Sequence, residues 1–336
     1  MTLILALESS CDETACAIIK DGKEILSNIV SSQINVHTQY GGVVPEVASR
    51  IHVENISTVI DEALKKANLT MDDIDAIAYT QGPGLIGSLH VGVQAAKTIA
   101  WTFHKPLIPI NHMTGHIWAN NFVADMKFPL LALVISGGHS QLVYMENDWD
   151  YKVIGTTQDD AIGEAYDKVS RVLGTGYPGG PVIDRMAKEG KEHYKLPSPK
   201  TDGVYDFSFS GLKTAVLQLI QREEKAGNEI IKEDIAYAFQ ETALGQLTGK
   251  TLQAVEDLKP KMLVLAGGVA ANSRLRQLIT EKMQAYPDVQ SVIPPMYCCT
   301  DNAAMIGAVG YVAYQHGLFG DLSAAADPGL MMPGEE

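Results

Sequence analysis

Two histidines, His112 and His116, lie four positions apart, directly after the apolar run LIPI at 107–110. On a helix this spacing places both imidazoles on one face, as zinc-binding helices present two ligands. A zinc peptidase also needs a glutamate immediately after the first histidine, and Met113 stands there instead. The pattern favours a metal site over peptide hydrolysis, and two histidines on a helix surface without a ligand are the alternative.

A metal held by two imidazoles needs a further oxygen or nitrogen ligand from elsewhere in the chain. The string CTDN at 299–302 offers Asp301 at a predicted strand-to-helix junction. Aspartate at such a junction more commonly caps the helix, so capping is the alternative role. We predict that His112, His116 and Asp301 are the metal ligands.

Two glycine-rich turns follow apolar strands, at 135–139 and at 265–272. Glycine lets a ligand approach the backbone, so the N–H groups of each turn are open to an anion or a sugar. Asn272 opens the next helix, where its side chain is either an N-cap or a hydrogen-bond partner for a nucleotide. Two such turns indicate a nucleotide site, and simple connecting turns are the alternative.

Four carboxylates accompany these features. Asp167 and Asp184 lie beside a predicted helix and the glycine turn within 177–184, and both suit the hydroxyl groups of a ribose. Asp12 and Glu13 occupy the first hairpin turn, where either could orient a phosphate through a metal or act as a base. The alternative is a solvated or capping carboxylate for Asp167 and Asp184, and a solvated turn for Asp12 and Glu13.

A third glycine motif, GPGLIGS at 82–88, matches the dinucleotide-binding pattern between a strand and a helix. That pattern also requires an acidic residue about 20 positions later for the ribose, and residues 104–108 contain none. We therefore expect these glycines to serve packing.

Strands alternating with helices predict an α/β fold with parallel strand pairs. A hairpin with a polar, serine-containing turn occurs at 3–19 and again at 130–145, which suggests two related lobes. We expect an N-terminal lobe at 1–128 and a C-terminal lobe at 129–310. A last helix at about 311–330 is expected to pack back on the first lobe.

Composition narrows the class of protein. The 336 residues are 46% hydrophobic and 20% charged, within the range of globular chains and far from disordered ones. We expect neither a membrane span nor a signal peptide, and a cytoplasmic protein with reduced thiols. The net charge of −14 disfavours tight binding of nucleic acid by this chain alone, despite a basic excess within 185–200.

Several strings together resemble the TsaD family, formerly called Gcp or YgjD and labelled as glycoprotein endopeptidases. The strings are LESSCDET (7–14), GGVVPEVASR (41–50), GPGLIGS (82–88), NHMTGH (111–116), SGGHS (136–140), DFSFSGLK (206–213), GGVAAN (267–272) and CTDN (299–302). They occur in the family's order over residues 3 to about 320. One departure is Cys298, an additional thiol beside the usual Cys299.

The resemblance implies the ASKHA fold of actin, Hsp70 and sugar kinases, with two related RNase H-like lobes and a central cleft. It also implies tRNA N6-adenosine threonylcarbamoyltransferase activity. In that reaction the threonylcarbamoyl group of threonylcarbamoyl-AMP passes to N6 of adenosine 37 in tRNAs that read ANN codons, and AMP is released.

The resemblance further implies site residues and partners. One divalent metal per subunit, Fe²⁺ or alternatively Zn²⁺, is expected on His112, His116 and Asp301. The implied nucleotide contacts are Val134, Ile135, Ser136, Gly137, Gly138, Asp167, Gly180, Asp184 and Asn272. A TsaB-like ASKHA subunit and a TsaE-like P-loop ATPase are the expected protein partners.

We expect Asp12 or Glu13 to accept or relay the proton of the reacting amine. Two other functions stay open at the level of sequence. One is the zinc metallopeptidase of the family's old label, which Met113 disfavours. The other is an ATP-binding module of the same fold that transfers no group.

Overall fold

The computed structural model describes residues 1–335, which form two compact units. The first unit consists of residues 1–126 together with the chain from Met296 onward, and the second is Lys127–Pro295. The predicted lobe boundary at 128 and the return at about 311 stay predictions about domain organisation. The chain returns to the first unit before residue 311, because the helix at 303–315 packs against the sheet of that unit.

The first unit contains a five-stranded sheet in the order β3-β2-β1-β4-β5. Its strands are β1 (Leu3–Glu8), β2 (Glu13–Lys20), β3 (Glu24–Ser32), β4 (Ala76–Gly82) and β5 (Leu107–Asn111). The pairs β1–β2 and β2–β3 are antiparallel, whereas β1–β4 and β4–β5 are parallel. Every residue of β1 is buried, as expected for a continuous apolar run covered by helices on both faces.

Among the described residues, six α-helices belong to the first unit. They are α1 (Ile34–His37), α2 (Pro45–Ala67), α3 (Ile86–Phe103), α4 (His112–Trp118), α10 (Met296–Cys299) and α11 (Ala303–Gln315). Helix α11 is apolar on nearly all sides and packs on β1, β2 and β4. Gly310 permits this close approach, because a Cβ there would lie 2.7 Å from Cβ of Ala78.

The second unit repeats the arrangement with a sheet in the order β10-β9-β6-β7-β8. Its strands are β6 (Leu130–Ile135), β7 (Ser140–Met145), β8 (Tyr151–Thr156), β9 (Met262–Ala266) and β10 (Gln290–Val292). Its helices are α5 (Ile162–Leu173), α6 (Gly179–Glu189), α7 (Ser210–Ala226), α8 (Lys232–Leu258) and α9 (Ser273–Met283). An antiparallel meander followed by two parallel strands occurs in both units, which confirms the prediction of two related lobes.

The glycines of the 82–88 motif serve close packing in the first unit. A Cβ at Gly84 would lie 2.5 Å from the carbonyl oxygen of Ser10, and one at Gly87 would lie 3.0 Å from Cβ of Ser49. The motif therefore lets the start of α3 approach the β1–β2 turn and α2. This agrees with the packing interpretation of the motif.

Among residues 1–335, no helix has both the length and the apolar character that crossing a bilayer requires.

Candidate metal centre and nucleotide site

Helix α4 presents the two histidines from the end of β5. Asn111 caps this helix, since its Oδ1 accepts a hydrogen bond from the backbone N–H of Met113 at 2.8 Å. The Asn111 amide also donates to the carbonyl oxygen of Met331 at 3.1 Å, so the C-terminal segment braces the same cap. The rings of His112 and His116 are nearly perpendicular, with an interplanar angle of 85° and their centroids 4.7 Å apart.

Asp301 reaches the histidines from the start of α11. Its Oδ1 lies 3.1 Å from Nε2 of His116 and 3.5 Å from Nε2 of His112. Asn302, and not Asp301, caps α11, because Oδ1 of Asn302 accepts from the N–H of Met305 at 3.2 Å. The carboxylate of Asp301 is therefore turned toward the two imidazoles rather than used as a cap.

These three side chains form a possible metal site, with one ligand atom from each lying within 4.8 Å of the others. Both ring nitrogens of His116 are buried without a well-formed hydrogen bond, a cost that metal coordination at Nε2 would reduce. Two imidazole nitrogens and one carboxylate oxygen suit Fe²⁺ or Zn²⁺ better than Mg²⁺ or Ca²⁺. The residues present therefore fit the divalent metal expected from the sequence.

Glu8, at the end of β1, fixes the ring of His112. Its Oε2 lies 2.9 Å from Nδ1 of His112 and accepts a hydrogen bond from the Thr80 hydroxyl at 2.6 Å. Ser10 adds its backbone N–H, which donates to Oε1 of Glu8 at 2.5 Å. A proton held on Nδ1 leaves Nε2 as the nitrogen for a metal, a common arrangement for metal-binding histidines. Sequence reasoning missed Glu8, although an acidic residue ending a buried strand was a signal.

The charges of this cluster depend on one another. Burial opposes the charge on His112, but Glu8 and Asp301 outweigh it and raise the pKa of His112 well above its usual value. Burial likewise opposes the charge on Asp301, but the neighbouring His112 and His116 lower the pKa of Asp301 below its usual range. Two carboxylates, the buried Glu8 and the partly buried Asp301, thus flank the imidazoles and favour a cation, either a proton or a metal ion.

Asp12 lies at the end of the turn between β1 and β2, and Glu13 is the first residue of β2. Oε1 of Glu13 accepts a hydrogen bond from the Ser32 hydroxyl at 3.0 Å. Burial, followed by the charges of Asp301 and Asp12, raises the pKa of Glu13 to about 9. The structure therefore brings Glu13 within electrostatic range of the cluster that contains Asp301.

Met113 occupies the position where a zinc peptidase carries its general base, and its side chain is buried at 2% exposure. A methionine there supplies no proton acceptor, so α4 lacks the group that peptide hydrolysis needs at this position.

In the second unit the two predicted glycine turns lie side by side. A Cβ at Gly267, whose φ is +88°, would lie 2.4 Å from the carbonyl oxygen of Ile135. Gly137 and Gly138 are exposed, and a Cβ at either would meet nothing within 4 Å. Ser136 closes its turn by accepting from the N–H of His139 at 3.1 Å through its hydroxyl.

Val134 and Ile135 are predicted nucleotide contacts whose side chains are fully buried. They can therefore contribute only backbone atoms to a ligand. Asp167 is partly buried, and its Oδ1 accepts from the N–H of Gly179 at 2.7 Å, beside Gly180. Burial raises the pKa of Asp167 despite this hydrogen bond.

Asn272 proves to be an N-cap, because its Oδ1 accepts from the N–H of Leu275 at 2.9 Å. Its amide also donates to Oε1 of Gln240 at 2.9 Å and lies 3.3 Å from the hydroxyl of Tyr166. Capping was one of the two roles left open for this residue. The Gln240 and Tyr166 partners are distant in sequence, and no local signal pointed to them.

Asp184 lies beside this cap. Its Oδ1 accepts from the Ser273 hydroxyl at 3.0 Å, and Lys188 is 3.7 Å away. Asp184 therefore binds Ser273 at the start of α9, next to the Asn272 cap, while Asp167 binds Gly179 at the start of α6, next to Gly180.

Comparison with solved structures identifies the class of fold. HypF from T. kodakarensis is similar with a TM-score of 0.64 and 15% identity, covering 94% of this chain and 48% of HypF. At this identity the likeness concerns the fold alone. The chain has the ASKHA fold, with two five-stranded α/β units of the same topology.

The sequence comparisons identify the family. The model of the family described as TsaD, tRNA N6-adenosine threonylcarbamoyltransferase, matches residues 24–308. A Lactiplantibacillus plantarum protein of that name is 53% identical, over 99% of this chain and 97% of its own length. A Geobacillus thermodenitrificans protein of that name is also 53% identical, over 97% of this chain and 96% of its own length. The chain belongs to the TsaD family, a family of transferases.

Proposed function

We propose that this chain transfers the threonylcarbamoyl group of threonylcarbamoyl-AMP to N6 of adenosine 37 in tRNAs that read ANN codons. The products are N6-threonylcarbamoyladenosine in the tRNA and AMP. The observation that carries the proposal is the convergence of His112, His116 and Asp301. It occurs in a chain 53% identical to proteins named for this transfer.

The second unit would hold the adenylate half of the donor. Its proposed contacts are Val134, Ile135, Ser136, Gly137, Gly138, Asp167, Gly180, Asp184 and Asn272. The open N–H groups at 137 and 138 suit phosphate oxygens, and the carboxylates of Asp167 and Asp184 suit ribose hydroxyls. Backbone atoms do much of this binding, because the Asn272 side chain is already engaged.

His112, His116 and Asp301 would hold the divalent metal, Fe²⁺ or alternatively Zn²⁺. When bound, the metal supplies a positive charge that polarises the donor or orients its phosphate and carboxylate groups. Glu8 keeps the His112 ring in the orientation that this requires.

The transfer forms a bond between N6 and the carbamoyl carbon and breaks the bond from that carbon to the phosphate oxygen of AMP. The amine proton passes to Asp12 or Glu13. Because the pKa of Glu13 is raised to about 9, Glu13 is mostly protonated at neutral pH and accepts the proton only through its ionised fraction. AMP is a good leaving group, so positioning and electrostatic stabilisation suffice without a covalent enzyme intermediate.

Partner proteins would supply the positive charge for tRNA binding that this chain lacks. A net charge of −14 disfavours unaided binding of tRNA, because phosphate contacts require lysine and arginine. We propose a TsaB-like ASKHA subunit and a TsaE-like P-loop ATPase as partners in tRNA docking or turnover, in the cytoplasm.

The test is mass spectrometry of tRNA nucleosides from a strain depleted of this protein. We expect threonylcarbamoyladenosine to disappear and to return with the unmodified gene. The His116→Ala variant should not restore it, whereas His90→Ala, at an exposed histidine on α3, should. Unchanged threonylcarbamoyladenosine after depletion would refute the proposed function.

A further inference from the structure

Four polar side chains lie buried around the turn between β1 and β2. Thr14, Gln33, His37 and His52 are each at most 2% exposed, and none is a candidate metal or nucleotide ligand. Burying polar groups costs free energy unless their hydrogen bonds are satisfied. Apolar side chains would fill the same space without that cost. The hydrogen bonds of these four side chains therefore indicate a role beyond filling the core.

His52, on α2, joins the two sides of the turn. Its Nε2 lies 2.9 Å from the carbonyl oxygen of Cys11, and its Nδ1 lies 2.7 Å from the hydroxyl of Thr14. A carbonyl oxygen only accepts, so Nε2 carries the proton and Nδ1 accepts from the hydroxyl. Burial lowers the pKa of His52, which agrees with this neutral form.

Gln33 holds the same turn from the other side. Its backbone N–H donates to the carbonyl oxygen of Asp12 at 3.0 Å. Its side-chain amide donates to the carbonyl oxygen of Ala48 at 3.3 Å, on α2. Nε2 of His37 lies 3.1 Å from Oε1 of Gln33, and Nδ1 of His37 accepts from the N–H of Val44 at 3.3 Å.

The network therefore contacts the turn at Cys11, Asp12 and Thr14, which leaves little freedom to the residues between them. Those residues include both carboxylates proposed to accept the amine proton. Ser32, which neighbours Gln33, adds a hydrogen bond to Glu13 itself at 3.0 Å.

We propose that His52 and Gln33 are positioning residues, which hold the 11–14 turn so that Asp12 and Glu13 keep one orientation toward the reacting amine. This inference rests on the proposed function, since it assigns these residues to that reaction. An orientation held by buried hydrogen bonds matters for proton transfer, because the acceptor must stay within hydrogen-bond reach of the proton.

The test is a double-mutant cycle of His52→Leu with Glu13→Gln, and a second with Asp12→Asn. Single-turnover threonylcarbamoyl transfer is measured with the full-length chain, tRNA, donor and partner proteins. We expect His52→Leu to lower the rate constant about 10- to 100-fold. Metal affinity should stay within about twofold, because the metal-site residues are untouched. His90→Leu, at an exposed histidine of α3, is the matched control.

In at least one carboxylate variant, His52→Leu should lower the rate constant little further, because both changes remove proton acceptance by the same carboxylate. An unchanged rate in His52→Leu would overturn the inference. So would a His52→Leu loss that is as large in both carboxylate variants as in the unmodified chain. Thr14→Val, which is isosteric and breaks one of the two His52 hydrogen bonds, carries the same test if His52→Leu does not fold.

The two proposals fail in different ways. An unmodified chain that forms no threonylcarbamoyladenosine in this assay would refute the proposed function and this inference together. An active chain with additive cycles would refute only the inference.

Discussion

The two candidate sites differ in the atoms that form them: side-chain atoms in the first unit and backbone atoms in the second. In the first unit, the buried side chains of His112 and His116 converge with the partly buried side chain of Asp301, and Glu8 fixes one of the rings. In the second unit, exposed glycine backbone forms the centre, and the buried side chain of Asn272 is already hydrogen-bonded within the protein.

This difference determines how each site can be changed. A site made of side chains is lost with one substitution, because no other group replaces the missing ligand. A site made of backbone tolerates a change of side chain wherever a Cβ has room, and fails where a Cβ would strike a neighbouring strand.

The largest effect is expected at the metal ligands. Asp301→Ala should lower metal affinity and transfer activity by at least about 100-fold, because it removes both a ligand and a neutralising charge. Metal content after dialysis and the transfer rate are the measurements. Asp61→Ala, at a surface aspartate of α2 paired with Lys65, is the control and should change neither. Full metal occupancy in Asp301→Ala would contradict the assignment.

Glu8→Gln should have a smaller effect on the same site. Loss of the charge next to Nδ1 of His112 is expected to lower metal affinity about 10- to 100-fold, as for other groups that orient a metal-binding histidine. Titration of the metal-free protein with Zn²⁺ measures this affinity. Glu24→Gln, at an exposed position of β3, serves as the comparison. Equal affinities of the two variants would mean that Glu8 does not support the site.

Two glycine variants test where the backbone of the second unit tolerates a Cβ. Gly267→Ala should lower the free energy of unfolding by about 1–3 kcal/mol, because φ is +88° and a Cβ would lie 2.4 Å from Ile135. Gly137→Ala should leave stability nearly unchanged, since its Cβ meets nothing within 4 Å, but should weaken adenylate binding. Denaturant unfolding and AMP titration separate the two results. Equal destabilisation by both variants would contradict the backbone description.

The smallest effect concerns a carboxylate in neither site. Burial opposes the charge on Asp159, but hydrogen bonds from Ser208, Phe209 and Ser210 outweigh it and lower the pKa of Asp159. A lowered pKa stabilises the fold above the unfolded value of about 3.9, and this stability is lost as the pH falls through the folded value. Asp159→Asn should therefore cost about 1 kcal/mol at pH 7, since the group is largely exposed.

Denaturant unfolding at several pH values measures this cost. The difference between Asp159→Asn and the unmodified chain should shrink below about pH 4, as protonation removes the charge that the variant lacks. A difference that stays constant with pH would show that charge is not the cause.

The sequence predicted more of the first site than of the second. Spacing alone placed His112 and His116 on one helix face. The need for a further ligand pointed to Asp301 in the CTDN string, and the family resemblance implied the same residue. Glu8 was missed because its contact to His112 spans 104 positions, which no local pattern encodes. The repeated hairpins predicted two related units because alternation of apolar strands and polar turns is a local property.

The role of Asn272 could not be decided from sequence, because a cap and a ligand contact use the same side chain. Its partner Gln240 is 32 positions away on α8, and only packing reveals that contact. The sequence predicted that a last helix at about 311–330 packs back on the first lobe. The first unit also includes the chain from Met296, which no local pattern indicated because it depends on where α11 is buried.

The most direct test of the central claim is anomalous X-ray diffraction from crystals of the purified protein loaded with Fe²⁺ or Zn²⁺. We expect one anomalous peak within bonding distance of Nε2 of His112, Nε2 of His116 and the carboxylate of Asp301. A protein that makes threonylcarbamoyladenosine but shows its metal elsewhere, or binds none, would contradict it.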